Sequence, residues 1–412
     1  MSQRTLRGTI QPHLVAPMRA RDPHEAERAA TPLELFFDLV IVVAVALAAD
    51  RLHHAIVEGV GFYSLVSYFL VFVAVWWAWV NYTWFASAYD TDDVAYRVSV
   101  LVVMTGALVL AAGVPPVFDD RDFTLAVIGY VIMRIALVTQ WLRVVRDDIP
   151  RRQTARRFAI GVTLCQVGWL TLLVEPSIWP IAWLLLVPAE LIVPFWASRP
   201  ERTSFHAEHI SERYGLFMII VLGESVLAAS LAIQTVIAGD GVTLELVTVI
   251  IGSLLIVYAM WWIYFDRPEE HLLDSLPTAI AWSYAHLPIF AAVAAVGAGL
   301  VVAIEEASGH AHLGWTTVGL TVAIPLIVYL IALWALYVGI LRDRFHRTVV
   351  PVAAALVMAV VFTPAPVLSI GVVMAGLVTV KIVLRVREHP PFDGSPGPTM
   401  TGRDADPLRS AD

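Results

Sequence analysis

Cysteine is almost absent. Cys165 is the single one in 412 residues, which excludes an intrachain disulfide and any multi-cysteine metal site. Charge is scarce as well: Asp, Glu, Lys and Arg make up 15% of the chain, against about 25% in a soluble domain. There is no phosphate-binding glycine loop, metalloprotease helix or Ser–His nucleophile pattern, and no basic groove or nucleic-acid motif. Neither an enzymatic reaction nor a cofactor nor a nucleic-acid partner is expected. No stretch between the apolar runs is long enough for a soluble domain.

What the chain has instead is apolar sequence, 58% of its residues. It is collected into runs of about 20 residues, the length that spans about 30 Å of hydrocarbon. They lie at 31–50, 62–86, 97–117, 123–145, 155–174, 177–198, 209–237, 243–265, 278–304, 314–341, 349–363 and 366–386. The expected fold is an all-α integral membrane protein of about twelve transmembrane helices, with the lipid bilayer as its first partner. The run 349–363 is short, and Pro364-Ala365-Pro366 after it makes either a tight turn or the tip of a re-entrant hairpin. Thr31-Pro32-Leu33-Glu34 reads as a helix start: Thr31 caps, Pro32 suits the first helical position and Glu34 closes a capping box. Ala46-Leu47-Ala48 imitates a signal-peptidase site. A long polar lead precedes that run, and Glu34 and Asp38 interrupt it, so it reads as a retained first helix. Residues 1–30 read as a flexible cytoplasmic tail with a part that can lie on the surface. Residues 388–412, rich in Pro, Gly and Asp, read as a disordered tail.

Basic residues fix the topology. With the N-terminus inside, only Arg51 and Arg121 of the 27 Lys and Arg fall in outer segments, and Arg134 lies within a span. That is the positive-inside pattern, with both termini cytoplasmic. An internal repeat is also legible. Phe37-Asp38-Leu39-Val40 aligns with Gly223-Glu224-Ser225-Val226 at an offset of 186, and Trp76-Trp77 with Trp261-Trp262 at 185. Residues 31–198 and 199–387 thus read as two six-helix repeats. Six is even, so the repeats are parallel, and such proteins tend to place a site between their halves.

An ionisable residue within a span costs about 2.5–3.5 kcal/mol on insertion scales and usually faces the bundle interior or a wet cavity. Asp38 and Glu224 are the repeat-matched pair, read either as a cation or proton site shared by the halves or as packing groups locked within each half. Glu34 shares the face of Asp38 four residues on and is also explained by capping. Glu212 and Arg213 read as an inter-helix salt bridge in preference to a substrate clamp. Arg134 needs a counter-ion, with Glu190, Asp38 and Glu224 as candidates. Glu190 stands between Pro188 and Pro194, where broken backbone can line a cavity. Asn81 and Asp266 occupy matched inner helix ends and either line a cytoplasm-facing vestibule or sit at headgroup level. His286 is a packing histidine or a proton relay. His310 and His312 beside Glu305 and Glu306 are a weak metal-binding signal, and no metal is expected.

With these residues laid out, the chain resembles the bacterial low-temperature-requirement A (LtrA) family. The likeness rests on Pro32-Leu33-Glu34-Leu35-Phe36-Phe37-Asp38-Leu39-Val40, on Trp76-Trp77 with Asp90 to Arg97, and on His209, Glu212-Arg213, Gly215-Leu216-Phe217 and Leu222-Gly223-Glu224-Ser225. It covers about residues 31–385 and implies a multi-pass bacterial inner-membrane protein with a link to growth in the cold or to stress. A weaker similarity runs to the endolysosomal potassium channels with two six-helix repeats. Phe36-Phe37-Asp38 stands where that family carries Phe-Ser-Asp, and the tract Trp77, Trp84-Phe85, Asp90 and Pro115-Pro116 follows alike. Phe37 in place of Ser, and Glu224 in place of Asp, depart from its pattern.

The function expected from the residues is a transporter or channel for a small ion or polar solute. Asp38 and Glu224 would face an axial cavity between the halves, and Arg134 or Glu190 would set their charge. Proton coupling fits because burial makes a carboxylate titrate nearer neutral pH. The alternative is a membrane scaffold or sensor whose polar residues only hold helices together. Homo-oligomerisation is compatible with either.

Overall fold

A computed structural model describes residues 14–22, 25, 28–59, 61–239, 241–266, 273, 275–338 and 345–388. Of the C-terminal tail expected to be disordered, residues 389–412 lie outside them, and Glu388 ends a helix. No strand occurs among the described residues. Helices run over Pro32–Val57 (α1), Phe62–Tyr89 (α2), Val94–Ala112 (α3), Thr124–Asp147 (α4), Arg152–Val174 (α5), Trp179–Ala197 (α6), Ala207–Gly239 (α7), Leu244–Phe265 (α8), Leu276–Ala307 (α9), Trp315–Val338 (α10), Val350–Ala359 (α11) and Pro366–Glu388 (α12). A short helix, Val114–Asp119, continues α3 past Gly113.

Eleven of these are long and apolar enough to cross a membrane. The remaining segment, Arg347–Phe362, is apolar but shorter. It ends at a bend where the Thr363 hydroxyl donates to the Ser369 hydroxyl at 2.9 Å and α12 begins. The protein is therefore an all-α, multi-pass membrane protein.

The cap expected at Thr31 is present. Both bonds of the Thr31–Glu34 capping box are present, with Pro32 in the first turn. Asp93, Thr243 and Ser275 cap α3, α8 and α9 through their side chains, each accepting an N–H that the helix start leaves free.

Packing follows small residues. In α9 the stretch Ala291-Ala292-Val293-Ala294-Ala295-Val296-Gly297-Ala298-Gly299 presents almost no bulk, and the helix sits centrally against α1, α7, α8 and α10. Without a hydrophobic force between helices in lipid, close backbone approach is what holds them. A Cβ on Gly299 would lie 2.6 Å from the Thr321 carbonyl oxygen of α10.

The pairings α1–α3, α3–α4 and α4–α5 have counterparts in α7–α9, α9–α10 and α10–α11. The pairing of α8 with α12 differs most. α8 and α12 touch along their length through Gly252 and Gly371. Their sequence counterparts α2 and α6 stay apart, leaving an apolar cavity of ≈ 50 Å³ lined by Val71, Ala74, Trp77, Tyr130, Trp183 and Glu190 among others.

Of the N-terminal segment expected as a flexible tail with a surface-lying part, residues 14–22, 25 and 28–30 are described. Its described part is a strap packed across helix ends. The Ala16 N–H donates to Asp93 Oδ2 at 2.7 Å, the Met18 N–H to Asp147 Oδ2 at 3.0 Å, and the Arg21 N–H to the Ala88 carbonyl at 3.0 Å. Met18 is fully buried.

Candidate functional site

The charges of α1 and α7 meet in one closed network. Glu34 and Asp38 stand four residues apart on α1, as do His209 and Arg213 on α7, so each helix offers two ionisable groups on one face. The Arg213 guanidinium lies between the two acids. It donates to Asp38 Oδ1 at 2.5 Å and Oδ2 at 3.0 Å, and stands 2.9 Å from Glu34 Oε1. His209 Nε2 lies 3.1 Å from the same oxygen. Trp79 of α2 donates its indole N–H to Asp38 Oδ1 at 2.7 Å. The four side chains are 0–1% exposed.

The planar fork of arginine suits such a double carboxylate contact, and its weaker hydration makes it the cation of choice in a dry site. Glu34 Oε1, Arg213 Nη1 and both His209 ring nitrogens nevertheless lack a partner in hydrogen-bond geometry. Glu34 Oε1 and Arg213 Nη1 are held to each other by charge, and all four atoms keep unused hydrogen-bonding capacity. Phe217, one turn beyond Arg213, packs on Trp79 with centroids 4.4 Å apart and seals the network on that side.

At the other side the strap closes it. Arg28 is 6% exposed and donates to the carbonyl oxygens of Ala86, at 2.6 Å, and Ser87, the last turn of α2, where the helix dipole is negative. The Ala30 N–H donates to Glu212 at 3.0 Å and the His206 ring contacts the Glu25 carbonyl at 2.8 Å. Sequence reading missed Arg28, Trp79 and His206. The signal it held for the network itself was the matched four-residue spacing in α1 and α7.

Asp90 follows α2 beneath this strap, its side chain 5% exposed and 3.7 Å from Arg21. Burial pushes its carboxyl from 3.8 up to about 6, the Glu34 charge adding to the effect and Arg28 and Arg21 opposing it. Between about pH 4 and 6 the folded protein keeps a proton that the unfolded chain has released. Stability therefore falls as pH rises through that window and levels off above it, with a slope of up to about 1.4 kcal/mol per pH unit from this group. Asp90→Asn is expected to remove that contribution. Thermal melts of both proteins from pH 4 to 8 measure it, and a wild-type-minus-variant difference that stays flat contradicts it.

Arg134 takes Glu190 as its counter-ion, at 3.0 Å. Tyr130 donates to Glu190 Oε2 at 2.6 Å and Trp169 to Oε1 at 2.9 Å. This second buried network lies within α4, α5 and α6, at the edge of the apolar cavity. It does not reach Asp38 or Glu224 by any hydrogen bond or ion pair among the described residues. Asn81 turns back to the Trp77 carbonyl at 2.7 Å. Asp266 pairs with Arg385 and Lys381 of α12 at 2.8 and 3.3 Å. No direct bond joins Asn81 to Asp266 among the described residues. His286 is fully buried in an aromatic box of Tyr214, Trp282, Tyr264 and Phe290, with Nδ1 at 2.8 Å from the Trp282 carbonyl.

The structure does not bring Asp38 and Glu224 together. Asp38 is closed in by Arg213 and Trp79. Glu224 lies 11 residues beyond Arg213, about 16 Å along α7 and about 20° round it. It is half-buried and makes no hydrogen bond or ion pair with the described residues. The repeat alignment equates Asp38 with Glu224, but the α7 residue that meets Asp38 in space is Arg213. Gly223 faces open space.

A protein of Rhizobium meliloti (strain 1021), described as uncharacterized, is 29% identical over 297 residues, covering 68% of this chain and 69% of its own. No solved structure matches. The family model described as bacterial low temperature requirement A protein (LtrA) matches residues 29–382, a range that takes in both charged networks. The chain belongs to the LtrA family.

Proposed function

We propose that this protein is a transporter or channel of a bacterial inner membrane for a small ion or polar solute, with both termini cytoplasmic. The observation that carries the reading is the α1–α7 network. Four ionisable side chains are sealed within spans, where the first and second halves of the chain meet, and polar atoms there keep hydrogen-bonding capacity. Ionisable groups inside a membrane usually mark a pathway. In this reading Arg213 is a resident counter-cation. A proton or cation reaching Asp38 competes with it, and its release loosens the contact between the halves. Glu224, on the same face of α7, is the second acid on the route, and Phe217 against Trp79 is the barrier between the two. This replaces a single axial cavity shared by Asp38 and Glu224 with two acids on either side of a closure. The duplication of a six-helix unit belongs to the same proposal, as does the expectation, carried over from the family's description, that loss of the protein impairs growth in the cold.

A scaffold is the second reading, favoured by the close pairing of Asp38 with Arg213. Proteoliposomes separate the two. Proton, sodium and potassium flux is measured for the wild type, Asp38→Asn and Glu224→Gln. Both variants are expected to slow flux at least about tenfold, a change of about 1.4 kcal/mol in barrier. Flux indifferent to both substitutions, or none for any ion while the protein is folded, leaves the scaffold.

A further inference from the structure

The outer end of α1 carries a separate cluster. Asp50, His53 and His54 occupy positions i, i+3 and i+4, so their side chains leave the helix on adjoining faces, and their ligand atoms all lie within 4.8 Å of one another. A fourth ligand comes from the other half of the chain. Glu305, at the end of α9, brings Oε1 to 3.0 Å from His53 Nε2, while His54 Nε2 stands 3.6 Å from Asp50 Oδ1.

We propose that Asp50, His53, His54 and Glu305 form a binding site for a single divalent transition-metal ion of the zinc type, clasping α1 to α9 at the outer ends of the two halves. Imidazole and carboxylate are the donors such ions take, at about 2.0–2.2 Å. Two ligands of one tetrahedral ion at that range lie about 3.4 Å apart; the His53–Glu305 and His54–Asp50 pairs stand at 3.0 and 3.6 Å, while Glu305 lies outside the 4.8 Å grouping of the three α1 ligands and must swing in to complete the set.

The cluster has a further mark of a ligand site. His53 is 5% exposed, and its Nε2, which faces Glu305, has no partner in hydrogen-bond geometry. A nitrogen buried to that degree is normally satisfied, and a metal would satisfy it together with the facing oxygen. The carboxylate end is held in place. The turn after α9 folds back so that the N–H groups of Ser308, His310 and Ala311 all donate to the Glu305 carbonyl, at 3.3, 2.9 and 3.2 Å. The donor set of nitrogens and oxygens without sulfur favours zinc, nickel or copper over calcium or magnesium. The fourth ligand lies some 250 residues away from the other three in sequence, so the cluster exists only in the fold.

The test uses full-length protein in detergent, its affinity tag removed and its metal stripped with a chelator. Cobalt(II) chloride is titrated and followed by visible absorption, and zinc chloride by calorimetry. Asp50→Ala and His54→Ala are the variants, since both side chains are 52% exposed and their removal leaves the fold intact, as size-exclusion profiles verify. One ion per chain is expected to bind, with the intense absorption of four-coordinate cobalt and a thermal midpoint raised by zinc. Each variant is expected to lose affinity by more than the 10- to 100-fold that follows loss of a mere outer-shell partner. Absence of a saturable one-per-chain site, or wild-type affinity in either variant, overturns the proposal.

Discussion

Arg213→Met is expected to lower the stability of the folded protein by about 3–5 kcal/mol, the cost of breaking a buried ion pair by removing one partner. The substitution keeps most of the side-chain volume and removes the charge. Asp38, fully buried, then keeps only the Trp79 indole N–H as a side-chain donor, and Glu34 keeps His209. An uncompensated carboxylate in such a place is the expensive product. Asp38→Leu in the same chain removes that product, so the double variant is expected to be more stable than Arg213→Met alone. Lysine is expected to fall between, because an ammonium cannot reproduce the fork that spans both acids. Tryptophan-fluorescence melts in detergent of the wild type, Arg213→Met, Asp38→Leu and the double variant form the cycle, with Arg213→Lys measured beside them. If Arg213→Met melts with the wild type, the network contributes no cohesion and the guanidinium must have found water.

Gly129→Val is expected to prevent α3 and α4 from closing. A Cβ on Gly129 would stand 2.5 Å from the Gly106 carbonyl oxygen and closer still to the Leu110 backbone nitrogen. Neither neighbour is a side chain that can swing away, so the helices themselves must part. Overpacking of a core costs about 1–3 kcal/mol where side chains can adjust, and this site allows no such adjustment. Gly252→Val is expected to do the same to α8 and α12, where the obstacles are the Val367 carbonyl oxygen at 2.6 Å and the Leu368 Cα at 2.7 Å. Gly223→Ala is the control. Nothing lies within 4 Å of its Cβ position, so its effect is expected to stay within about 0.5 kcal/mol. Yield and monodispersity on size exclusion report all three. A monodisperse Gly129→Val protein with an unshifted melting point contradicts the close approach.

Helix boundaries were readable because their causes are local. A stretch of apolar residues of membrane-spanning length, a threonine followed by proline and glutamate, and a lone short run before Pro364-Ala365-Pro366 each act within a few residues. Pairing across the bundle was readable only in part. Arg134 had to meet an acid, and Glu190 was among those available. Asp38 had to meet something as well, yet the repeat suggested Glu224 while space supplied Arg213. The reason is depth. α7 starts at Ala207, well before the position that corresponds to the start of α1 under an offset of 186. Its charged first turns therefore reach alongside Glu34 and Asp38. The strap was hidden for another reason: its bonds use backbone N–H groups, which every sequence possesses, so composition carries no trace of them.

The span between Asp38 and its partner has a consequence for synthesis. Arg213 follows Asp38 by 175 residues, and a ribosome adding 5–20 residues per second needs about 9–35 s to reach it. For that interval the first hydrophobic segment has left the exit tunnel with two acids and no cation to neutralise them. It can wait at the insertion machinery, take up protons, or ride shallow at the headgroups until the seventh helix arrives. The contacts of Ala30 with Glu212 and of Glu25 with His206 then become some of the last to form in biogenesis, although Glu25 and Ala30 precede the first span.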